Sequence, residues 1–243
     1  MTERVVDGLP AAEEIVRRYE KDSLADHPYF QRLRREPVDT ERLWRLIVNG
    51  REGVVLDFPR RLASIIARTK DERIRSMLAK QLNDELGNGD YSRAHRLLFE
   101  RMLAAVDPWR PAATDERTLA PGSALSARLE AVYSDPEPYV GVGGAMVIEI
   151  SSKQIDISLG DEIRRHGGLA PKAIEWLSIH EELELVHAEE SMTMAHLIPE
   201  SGAALAATWR GAEAVGDGLW DFFDALHGAK TERPTMSVFH SHM

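Results

Sequence analysis

Apolar positions recur every three or four residues along most of this chain and scarcely alternate anywhere, which predicts helices rather than strands. "AAEEIVRRYEKD" and "TERLWRLIVNGREGVVLDFPRRLASIIART" each place their apolar residues on one helical face. Thr40 is the N-cap candidate for the second helix, and Pro59 is expected to kink it. Further helices are predicted over 73–86, 90–106 and 123–135, with "DPWRPAATDERTLAPGS" as the clearest loop. Three long segments follow, 138–166, 171–198 and 201–227, separated by "HGGLAP" and "IPESG". Seven or eight helices without a convincing strand make an all-α bundle, read as one domain over 1–243 with a core at about 40–198 and a loosely held tail at 228–243.

The stretch "SIHEELELVH" carries the densest chemistry. At 100° per residue, Glu184 lies about 40° to one side of His180 and His187 about 20° to the other, so three ligand-type side chains share one stripe. A bundle metal site also needs donors from facing helices. Glu149 is one candidate, an isolated acid after eleven uncharged residues, although Ser151 and Ser152 also allow a polar face to begin there. Glu85 and His95 are another pair. On an unbroken helix they would stand ~15 Å apart, too far to share a site, but Gly87 and Gly89 make the intervening backbone easy to unwind. The alternative is a plain helix end at Glu85 and a new helix capped by Asp90, with no metal.

Composition narrows the chemistry. With no cysteine there is no thiolate site or disulfide, so any metal must sit on nitrogen and oxygen, a donor set suited to iron, manganese or zinc. A formal charge of -10, with Lys and Arg scattered among acids, argues against a nucleic-acid partner. No segment reaches the ~18 to 20 apolar residues of a membrane span. The opening "MTERVVDGLPAAEE" does not read as a secretory leader, and the expected compartment is the cytoplasm.

Taken together, Glu85 with "ELGNGDYSRAH" ending at His95, then Glu149, then "HEELELVH" thirty-one positions later resemble the ligand order of the haem-oxygenase-like diiron oxidases and oxygenases. The one departure is Glu184, where many members carry aspartate. The resemblance implies a seven-helix haem-oxygenase-like fold without haem. It also implies two irons cycling between Fe(II) and Fe(III) on Glu85, His95, Glu149, His180, Glu184 and His187, with O2 as co-substrate, an external electron donor where the reaction requires one, and a homodimer. Members that oxidise nitrogen add a carboxylate. Asp57 is the candidate here, level with Glu85 if the two helices run antiparallel, with Glu52 as the fallback. Lys153, one turn beyond Glu149, is a candidate for holding a substrate carboxylate. The expected activity is O2-dependent oxidation of a small amino acid or amine-bearing metabolite, with N-oxygenation favoured. Oxidative cleavage or decarboxylation of a small acid, and a non-catalytic or cofactorless bundle of the same fold, are the alternatives. The apolar set Met146, Phe99, Leu98 and Trp176 is read as core.

Overall fold

The computed structural model describes residues 9–233, with the side chains of Glu116 and 181–188 outside the description. Among the described residues there are ten α-helices and no strand. They are α1 (Glu13–Lys21), α2 (Pro28–Arg35), α3 (Thr40–Gly50), α4 (Phe58–Arg68), α5 (Glu72–Glu85), α6 (His95–Val106), α7 (Ala120–Tyr133), α8 (Pro138–His166), α9 (Glu175–Ala195) and α10 (Ala203–His227).

The spine is α8 against α10. Glycines let the two backbones meet: a Cβ on Gly143 would lie 1.9 Å from the Thr208 carbonyl oxygen, and one on Gly211 1.9 Å from that of Val140. Around this crossing, Ile65, Val132, Val142, Val147, Val215 and Trp209 form the middle of a continuous buried core. α1 is tied to the spine by polar bonds as well as packing. The Tyr19 hydroxyl donates to the Ala212 carbonyl at 2.9 Å, and the Gln154 amide of α8 donates to the Tyr19 carbonyl and accepts from the Leu24 N–H.

The sequence pattern misses α2. Its short "HPYFQRLRR" has too few turns to show a period, yet His27 caps it, Pro28 starts it, and Tyr29, Phe30 and Leu33 are buried. The expected loop through Ser123 also ends early. Buried Asn49 accepts from the Gly122 N–H at 2.9 Å and donates to the Thr118 carbonyl, so α7 begins at Ala120 with Pro121 in its first turn.

The expected helix from 40 to 69 is broken by a π-helical turn over Arg51–Val55, in which the Leu56 N–H reaches back five residues to the Arg51 carbonyl. Buried Arg61 holds this turn, donating to the Gly53 carbonyl at 3.1 Å and to Ser126 of α7. Residues 228–233 of the expected loose tail pack back on α10 through Thr231 and Asp224, and the rest of the tail lies outside the described residues.

Two predictions follow from the packing. Gly143→Ala and Gly211→Ala must push α8 and α10 apart, and each is expected to lose about 3 kcal/mol in urea unfolding. The second concerns His27, fully buried, whose Nδ1 accepts from the Tyr29 N–H while Nε2 faces Asp224 Oδ1 at 3.2 Å. Burial holds its pKa below the ordinary 6.5, and the bond to Asp224 offsets this only in part. The unfolded chain therefore takes up a proton that the fold resists, and stability is lost as pH falls from about 6.5 toward the lowered folded value. Thermal unfolding between pH 7 and 5 should show this slope, and His27→Asn, which keeps a capping acceptor, should flatten it.

Candidate metal centre

α5 ends at Glu85 in a tight left-handed turn. The Gly87 N–H bonds the Asp84 carbonyl and the Asn88 N–H bonds the Asn83 carbonyl, a Schellman arrangement with Gly87 at φ 87°. Asn88 and Gly89 also have positive φ, Asp90 caps a single 3-10 turn over Tyr91–Arg93, and His95 is the first residue of α6. The chain thus doubles back. Glu85 Oε1 and His95 Nδ1 come within 3.1 Å, instead of the ~15 Å of a straight helix.

α9 completes the group from across the bundle. Donor atoms of Glu85, His95 and His180 all lie within 4.8 Å of one another, and both histidines are buried. His180 is anchored by Nδ1, 2.8 Å from the Trp176 carbonyl one turn back, which leaves its other ring nitrogen to bind an ion. The Trp176 ring lies over the imidazole at 4.0 Å between centroids, tilted by 35°, and Phe99 meets that indole edge-on at 4.8 Å. Two imidazoles and a carboxylate converging from three helices, with one ring nitrogen already fixed by a carbonyl, fit a first-row transition metal such as iron.

Glu149 borders the same cleft, as do Ser152 and Asp156 of α8 and Val54, Val55 and Phe58 from the π-turn and the start of α4. On its other side Glu149 faces a smaller space beside Glu190 and Ser191 of α9. The α9 backbone is helical through 184 and 187, and the side chains of Glu184 and His187 lie outside the described residues.

Asp57 is not brought to the group. Its carboxylate, 44% exposed, accepts from Arg60 at 3.1 Å and stands 3.9 Å from Arg61, and the Arg60 bond is the main reason its pKa is held below the usual carboxylate range. The π-turn explains the placement: one extra residue rotates everything after it by about 100° relative to a straight helix. Glu52 lies within that turn, its Cβ toward Gly122 of α7. Lys153 lies outside the cleft lining. Sequence reading missed Asp156, although its place seven residues after Glu149 repeats the same helical face, and read Trp176 as core alone.

A family model described as iron-containing redox enzyme matches residues 48–217. The chain belongs to this family. The matched span includes Glu85, His95, Glu149 and His180. Among curated proteins, none matches the sequence. Of solved structures, a CADD-like protein of unknown function from Nostoc punctiforme PCC 73102 superposes with a TM-score of 0.69 at 13% identity, covering 90% of this chain and 96% of that one. A TenA homologue from Pseudomonas syringae pv. tomato DC3000 gives 0.67 at 17% identity, covering 90% and 92%. At such identities they share the fold, which is the haem-oxygenase-like helical one, and the likeness extends no further.

The turn between the first two donors generates a contrast. A Cβ on Gly87 would lie 2.3 Å from the Asp90 carbonyl oxygen and 2.7 Å from the Ala94 nitrogen, whereas one on Gly89 meets nothing within 4 Å. Gly87→Ala is expected to pull His95 from Glu85 and weaken Fe(II) uptake at least tenfold. Gly89→Ala carries only the backbone cost of about 1 kcal/mol and should bind like the parent in an anaerobic titration.

Proposed function

We propose that the protein is a non-haem diiron oxygenase that uses O2 to oxidise the nitrogen of a small amine-bearing metabolite. The observation that carries this reading is the convergence of Glu85, His95 and His180 from α5, α6 and α9 on the floor of a cleft. One ion would be held by these three, and a second by Glu149, Glu184 and His187, with Glu149 placed between the two spaces it borders. Iron would supply the electrons that reduce dioxygen.

The residues of the chain would do the rest. Trp176 and Phe58 keep bulk water from the floor of the cleft, and the Trp176 carbonyl holds the His180 proton on Nδ1 so that the ring cannot turn. Placing one oxygen atom in an N–H bond leaves the other to become water, which takes two protons and two electrons from an external donor. Oxidation at nitrogen is preferred to carbon–carbon cleavage of an acid because the described lining carries carboxylates and no lysine or arginine to seat an anionic substrate. The Arg60 and Arg61 pairing of Asp57 removes the extra carboxylate as a reason for this preference.

Anaerobic Fe(II) titration of metal-free protein is expected to give close to two ions per chain, with His180→Ala and Glu149→Ala each weakening uptake at least tenfold. Asp57→Ala should keep the parent's iron content and products. Admitting O2 with a panel of amines should then give amine-dependent O2 consumption and hydroxylamine-level products. A parent that takes up no iron would end the proposal.

A further inference from the structure

Beside the metal cleft lies a second, largely apolar chamber. The two share Val54, Val55, Ser152, Asp156 and Trp176, so they adjoin along these five residues as two compartments. The far compartment is walled by Leu46 and Ile47 of α3, Phe99 of α6, and Leu219 and Phe222 of α10.

Asp156 is 4% exposed and stands at the junction. It follows Glu149 by seven residues and Ser152 by four on the same face of α8, which sets the two carboxylates ~10 Å apart along the helix. Among the described residues that line either compartment there is no lysine or arginine, and 181–188 contains none in its sequence. A carboxylate-bearing molecule would find like charge on α8 and no cationic side chain. A cation would find Asp156 in surroundings where little water screens the attraction.

We infer that the space selects a primary amine with an apolar body and no carboxylate: the ammonium group on Asp156 and Ser152, the hydrocarbon in the chamber, the nitrogen facing Glu85, His95 and His180. This rests on the reading of the three donors as an oxidative metal centre, since only then is the seated nitrogen, once its extra proton has passed to the Asp156 carboxylate, the atom that reacts. Asp156 is the specificity determinant. It holds the charge that separates an amine from an alcohol or an acid of the same shape.

Calorimetric binding to the full chain, metal-free and again after anaerobic Fe(II) loading, tests this with n-hexylamine, 1-hexanol and hexanoate. In the metal-free chain hexylamine is expected to bind at least tenfold more tightly than hexanol, with no detectable binding of hexanoate, whose carboxylate meets a cation only after iron is loaded. Each methylene added from butylamine to heptylamine should tighten binding by about fourfold, a series that needs no variant. Asp156→Asn should bring hexylamine within twofold of hexanol while Fe(II) uptake stays at the parent level. Hexanoate binding the metal-free chain as tightly as hexylamine, a flat chain-length series, or an Asp156→Asn protein that keeps the amine preference would each overturn the inference. Iron uptake without amine preference defeats this inference alone, whereas amine preference in a chain that takes up no iron defeats the oxygenase reading and leaves the amine site standing.

Discussion

The crossing of α8 and α10 at Gly143 and Gly211 is the constraint on which the rest depends. Carbonyl oxygens of Thr208 and Val140 occupy the volume where side chains would otherwise project, so the two longest backbones lie in direct contact. That contact sets the axial position of α8 and therefore of everything along its inner face. Glu149, Ser152 and Asp156 reach the cleft because this helix is fixed from behind at its glycine-rich start. Precision at the site is thus supplied by packing well away from it.

A second constraint acts from the opposite wall. The π-turn at Arg51–Val55 breaks the regular ladder of its helix, and Arg61 takes up the Gly53 carbonyl. In exchange, Val54 and Val55 line both compartments while Arg60 pairs with its neighbour Asp57 and with Glu130 on α7. An irregular turn beside a cleft keeps one wall apolar in a chain otherwise crowded with acids.

Much of this architecture was legible in the sequence because helical periodicity is a local property, and segments such as 138–166 are long enough to average out noise. The bend between Glu85 and His95 was legible for the same reason: two glycines inside a ten-residue ligand spacing have a direct backbone meaning. Asp57 was not legible. Its direction depends on a single added residue in a π-turn stabilised by Arg61 and Ser126, partners that stand 65 positions apart in the chain. Nor was the second compartment, whose walls come from α3, α6, α8 and α10 and have no signature on any one of them. Helix α2 escaped because eight residues hold barely two turns of pattern.

The Gly87 turn also bears on the order in which the site assembles. Glu85 and His95 close a loop of only ten residues, a contact whose entropic cost is small and which a chain can make as soon as α5 and α6 exist. His180 arrives from eighty-five residues further on, after α8 has formed and α9 has docked across it. The first two donors are therefore a local half-site and the third a long-range lock. A chain that stops before α9 has two of the three converging side chains and no more, so any tight metal retention would belong to the finished bundle rather than to any segment within it.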